Sequence, residues 1–198
     1  MAQSDGRSWL DHVRAGEPFE MVDWDFLADV FKGQAKVNAF NAVPIAELET
    51  RLRLIRDLFG HVGTDVIVQS PLRVDVGFNI EIGDRSFINM NCTMLDTYPI
   101  RIGKDVLIGP NCSLYPVGHP VKASDRKRVN AAGEQKSITS GAPIVIEDNV
   151  WIGGDTVIVQ GVTIGARTTI GAGSVVTKSI PADVFAAGNP CRVIKPLS

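Results

Sequence analysis

Three histidines are present, His12, His61 and His119, and one of them stands where an imidazole could do chemistry. His119 lies in Val117-Gly118-His119-Pro120-Val121, between a permissive glycine and a proline that restricts the residue before it, a setting that leaves the ring clear of any packed core. Imidazole titrates near neutrality and suits the removal of a proton from a hydroxyl. A solvated loop histidine is the plainer alternative. Asn89 and Asn91, in Ile88-Asn89-Met90-Asn91, are either corner residues or amides that hydrogen-bond a substrate hydroxyl. Asp96 is either a turn residue or a polar contact to the same ligand.

Further along, Trp151 covers either a neighbouring subunit or a flat ligand. Thr177-Lys178, Arg192 and Lys195 are either solvated surface or a place where phosphates are met. The three cysteines, Cys92, Cys112 and Cys191, have no metal-type spacing and read as buried thiols, with a disulfide or a catalytic cysteine as the remoter alternatives.

These residues sit in a chain with a period of six. Ile146, Ile152, Ile158, Ile164, Ile170 and Val176 recur without a miss, and small or β-branched residues follow four places later at Val150, Thr156, Val162, Thr168 and Ser174. Neither a helix nor an alternating strand has that period. Repeated sixes predict a parallel β-helix, in which each unit gives a short strand and a corner and the aliphatic side chains stack inward. The register is already present at Ile82, Ile88 and Met94, and again, shifted by two, at Ile102, Ile108 and Leu114. An interruption therefore falls near Tyr98-Pro99. Trp151 lies outside the inward register and faces out.

Residues 1–60 read as a helical cap and 61–198 as the coil. In the cap, Ser8-Trp9-Leu10-Asp11 can start a short helix, Ala15-Gly16-Glu17-Pro18 ends it, and Asp25 to Phe31 is apolar at helical spacing. A longer helix is expected after Pro44, with Leu48, Leu52, Ile55 and Phe59 inward, Glu47, Glu49, Arg51, Arg53 and Arg56 facing water, and Gly60 as the stop. Trp24 and Phe19 either pack the cap onto the coil or border a pocket. Between Pro116 and Pro143 the period vanishes into polar residues that include Lys122, Arg126 and Asn130, which predicts an extruded loop over 116–143. The tail, 182–198, is a candidate cover for the last coil.

Composition bounds the partners. At 198 residues, the chain suits one well-cored domain with a small appendage. With 20 Lys and Arg against 22 Asp and Glu, nothing favours nucleic acid. No apolar run approaches the ~20 residues of a membrane span, and Met1 to Arg7 carries no apolar signal segment, so no membrane partner and a cytoplasmic location are expected.

The stretches Ala15-Gly16-Glu17-Pro18-Phe19, Ile88 to Asp96, Gly118-His119-Pro120, Ile146 to Gly153, Gly171 to Lys178 and Ala187 to Ile194 together resemble the hexapeptide-repeat acetyltransferases, in the maltose and galactoside O-acetyltransferase branch with its nodulation-type relatives. The resemblance spans nearly the whole chain, in the family's order. It implies a left-handed parallel β-helix, a homotrimer with sites between subunits, acetyl-CoA as co-substrate, no required metal, and a hydroxyl acceptor of the sugar class. By the same resemblance His119 is the general base, Gly154 offers its N–H to the oxyanion, Asn89 and Asp96 lie on the acceptor side, and Trp151, Gly154, Ala172, Thr177, Lys178, Arg192 and Lys195 lie on the CoA side.

Two stretches depart from the family pattern. Phe19-Glu20 stands where Tyr-Asp is frequent, and Lys122 to Pro143 is charged differently; both border the acceptor pocket and leave the acceptor open. Antibiotic or serine acetylation are the alternatives within the class, although about 60 cap residues are few for the serine branch. A β-helical carbonic anhydrase needs three converging histidines, and His12 and His61 fall with the cap. A scaffold that has lost catalysis is the remaining alternative, against which Gly118-His119-Pro120 argues.

Overall fold

From His61 onward the chain of this computed structural model winds as a three-sided parallel coil; the residues described are 6–129 and 133–197. The first face stacks His61–Val62, Ile80–Ile82, Ile100–Ile102, Ile144–Ile146 and Thr163–Ile164. The second stacks Ile67–Val68, Phe87–Ile88, Leu107–Ile108, Trp151–Ile152, Thr169–Ile170 and Val184–Ala187, with Arg192–Pro196 antiparallel on its end. The third stacks Leu72–Val74, Cys92–Met94, Ser113–Tyr115, Val157–Val159 and Val175–Val176. The aliphatic period is the core: Ile146, Ile152, Ile158, Ile164, Ile170 and Val176 are all buried. Extrusion of the loop leaves the stack intact, since Ile100 and Ile102 pair directly with Ile144 and Ile146.

Corners need a left-handed residue, and short polar side chains supply most of them: Asp65, Asn91, Asp105, Asn111, Asn149, Asp155 and Asp183 all have φ between 55° and 61°. Arg85 and Arg167 occupy the same position with φ of 58° and 60°. Each forks onto the aspartate at the corresponding corner of the next coil, Asp105 and Asp183, with both bonds at 2.6 Å. These bidentate contacts offset the strain of a long side chain there.

The cap holds three helices. Helix α1, Trp9–Ala15, starts on a reciprocal Ser8–Asp11 box and ends on Gly16 at φ 69°. Helix α2 runs Trp24–Asn41 and helix α3 Leu48–Leu58. Several expectations are corrected here. The longer helix precedes Pro44, Leu48 is exposed, Arg51 is buried, and His61 begins the first coil strand. Phe59, in extended geometry, ends α3; Gly60 is required because a Cβ there would collide with the Phe78 carbonyl.

Phe19 packs between Trp9 and Phe26, with Tyr98 beneath it. The Tyr98 hydroxyl donates to the Glu17 carbonyl at 2.9 Å, which ties cap to coil, and burial pushes its pKa up to about 12. Trp24 does not join this cluster and is 77% exposed. The extruded segment is a small antiparallel sheet of Val117–Gly118, Lys127–Val129 and Gln135–Gly141, which Phe19–Glu20 joins. Asn130, read as part of the loop, lies outside the described residues, as do Met1 to Asp5 and Ser198. No helix among the described residues is long and apolar enough to cross a membrane.

Candidate active site

His119 follows the Val117–Gly118 strand, and its Nδ1 lies 2.7 Å from the Ile138 carbonyl oxygen. A carbonyl only accepts, so Nδ1 carries the proton and Nε2 keeps its lone pair. Ile138 sits in the Gln135–Gly141 strand, which pairs with the strand bearing Gly118 and, on its other edge, with Phe19–Glu20. Three segments of the chain thus orient one imidazole. The ring remains exposed, available to a substrate.

At the corner between the second and third faces, Asn89 stands two coils below Gly154, and Ala172 one coil above it. The Asn89 side-chain oxygen accepts the Met90 N–H at 2.8 Å, so it is a corner residue whose amide NH₂ keeps no acceptor among the described residues. Gly109 lies beneath Gly154 so closely that a Cβ on it would fall 2.5 Å from the Gly154 nitrogen, and no described residue accepts the Gly154 N–H. A backbone donor without a partner at a half-buried corner can meet an oxyanion.

On the second face, Trp151 is 56% exposed, with Leu107 on one side and Thr169 on the other. Thr169 pairs with Phe185, and Phe185 with Lys195, so one column carries an exposed indole and a cation. Arg192 pairs with Ala187 on the same face. Thr177 and Lys178 are placed elsewhere: they follow Val175–Val176 at the corner between the third and first faces, the corner from which the His119 segment is extruded.

Asp96 is fully buried and does not reach a substrate. One carboxylate oxygen accepts the N–H groups of Asp75 and Val76 and the other that of Asn79, at 3.0–3.2 Å, so its role is to close a corner. Burial pushes its pKa up to about 6 against those bonds. Asp75, which sequence reasoning passed over, lines a cavity of about 490 Å³ with Gln34, Asn38, Asn41, Arg73 and Thr93. Its carboxylate accepts the Thr97 hydroxyl at 2.8 Å, and burial raises its pKa. Ile138 was missed for a different reason: it acts through its carbonyl, which side-chain type does not signal.

A single chain keeps these groups apart. A Cβ on Gly118, next to His119, would fall 3.6 Å from the Gln160 side chain, and Gln160 stands six residues beyond Gly154, at the other end of the third face. Six extended residues span up to about 20 Å. His119 and the Gly154 N–H therefore lie at different corners of the prism. Among the described residues, no three or more His, Cys, Asp or Glu side chains gather as a metal site.

Residues 143–178 match the family model described as bacterial transferase hexapeptide (six repeats), and residues 13–63 match the maltose acetyltransferase hexapeptide capping motif. The galactoside O-acetyltransferase of Escherichia coli is 42% identical over 188 residues, covering 95% of this chain and 89% of that protein. A maltose O-acetyltransferase from Clostridium difficile superposes with a TM-score of 0.89 at 38% identity, covering 98% of this chain and all of the other. A hexapeptide-repeat acetyltransferase of Vibrio cholerae, solved with acetyl-coenzyme A, gives a TM-score of 0.84 at 40% identity over 97% of this chain and all of the other.

Proposed function

This chain belongs to the hexapeptide-repeat acetyltransferases, in the maltose and galactoside O-acetyltransferase branch, and from that premise we propose that it moves acetyl from acetyl-CoA directly to a hydroxyl of a sugar-like acceptor. Nε2 of His119 takes the hydroxyl proton as the acceptor oxygen attacks the thioester carbonyl. The Gly154 N–H receives the developing oxyanion, the C–S bond breaks, and the CoA thiolate leaves and regains a proton. No acetyl-enzyme forms. The observation that carries this reading is the Nδ1 bond to Ile138, which leaves the free lone pair on the exposed nitrogen.

The separation of His119 from Gly154 supports a site completed by a second copy, in the trimer expected of this fold. Exposed Leu107 and Trp151 on the second face give such an assembly apolar surface to cover. Trp151, Ala172, Arg192 and Lys195 are assigned to CoA, the cations to its phosphates, with Thr177 and Lys178 contributed from the other corner. Asn89 is assigned to the acceptor through its free NH₂. Amides, a hydroxyl and charged groups around the 490 Å³ cavity suit a polyhydroxyl acceptor.

The test is release of free CoA from acetyl-CoA with galactosides, maltose, glucose and serine offered separately. Release stimulated by a sugar supports the reading. Release with serine alone, or with no hydroxyl acceptor in the panel, contradicts it.

A further inference from the structure

Arg51 is a buried cation without an acid. It is 5% exposed, and no carboxylate of the described residues pairs with it. Nη1 donates to the Val43 carbonyl at 2.8 Å, Nη2 to the Val68 carbonyl at 3.2 Å, and the guanidinium carbon lies 4.2 Å from the centre of the Phe40 ring. Of five N–H donors, two are committed to carbonyls, and those neutral partners leave the charge uncompensated. Buried charges are ordinarily paired. Burial draws the Arg51 pKa down, with no opposing charge to restore it.

The same side chain lines a groove of about 260 Å³ where α2 and α3 meet the first coil. Its walls include Ile45, Leu48 and Ile67, which are 60%, 68% and 54% exposed. We propose that this groove binds a small amphipathic carboxylate, its apolar chain against Ile45, Leu48 and Ile67 and its carboxylate on Arg51. Charge complementarity selects that occupant, because an apolar side chain from another protein would cover the walls and leave the cation unpaired. A planar carboxylate also matches the fork of the guanidinium. The groove lies away from the indole on the CoA side: Ile67 lies three coils below Trp151, roughly 14 Å along the prism.

Calorimetric titration of octanoate into the full chain tests this, with octanol as the uncharged control. Octanoate is expected to saturate one site per chain and to bind roughly tenfold or more tighter than octanol. Leu48→Glu and Leu48→Gln change an exposed residue at the mouth, keep similar size and differ in charge. Octanoate should bind the Glu variant about tenfold more weakly than the Gln variant, while octanol binds both alike. Absence of saturable octanoate binding, equal affinity for octanoate and octanol, or equal octanoate affinity in the two variants each overturns the proposal.

Discussion

The Nδ1 atom of His119 and the carbonyl oxygen of Ile138 lie 2.7 Å apart, and Ile138 is held in turn by Glu20 across the strand pairing. The N-terminal cap therefore reaches the imidazole through one strand of the extruded sheet. Tyr98, buried under Phe19, anchors that cap to the coil.

Tyr98→Phe should expose the cost of that anchor. It removes the donor to the Glu17 carbonyl and leaves ring packing unchanged, so unfolding free energy should fall by about 1 kcal/mol in a urea titration. No change would detach the hydroxyl from cap docking.

Asp96→Asn separates burial of a charge from closure of the corner. A folded pKa raised to about 6, from 3.8, means that the folded state holds the proton more tightly than the unfolded chain. The wild type should therefore lose stability relative to the Asn variant as pH rises from about 4 to about 6, by an amount on the order of a few kcal/mol, and hold level above that. A difference between the two proteins that stays constant across that window would contradict burial of the carboxyl as described.

Arg192→Ala addresses the CoA side. If the guanidinium meets a phosphate, its loss should remove about 1.5–3 kcal/mol of binding and raise the KM for acetyl-CoA, leaving that for the acceptor alone. The effect should shrink with a truncated thioester that lacks the nucleotide phosphates. An unchanged KM at low ionic strength, where screening is weakest, would remove Arg192 from the site.

Much of this was legible in the sequence because one physical quantity, the six-residue spacing of aliphatic side chains, dictates both coil and core. Ile146 to Val176 read directly as stacked strands. The cap was less legible because its helices bury faces against partners far along the chain: Arg51 looked like a solvated charge at helical spacing and is instead bonded to the carbonyls of Val43 and Val68. Asp96 misled for a related reason. A carboxylate at a corner can face a ligand or close the turn, and three backbone N–H groups 17 to 21 residues upstream decide the matter. The separation of Lys178 from Arg192 follows from which face each strand joins, which local spacing does not reveal.

Sharing of the site between copies predicts complementation. His119→Ala and Asn89→Ala proteins, each of low activity, should regain about a quarter of the wild-type rate when unfolded together and refolded in equal amounts, because one interface in four then carries both native residues. No recovery in mixed oligomers would mean that both residues serve the site of one chain.

The central claim rests on the free nitrogen of His119. His119→Ala, measured by CoA release with saturating acetyl-CoA and a galactoside acceptor, should lower kcat by about 10²–10⁴-fold, equivalent to roughly 3–5 kcal/mol of transition-state stabilisation, with acetyl-CoA affinity and thermal unfolding nearly unchanged. A variant that keeps near-wild-type kcat would contradict the assignment of His119 as the base.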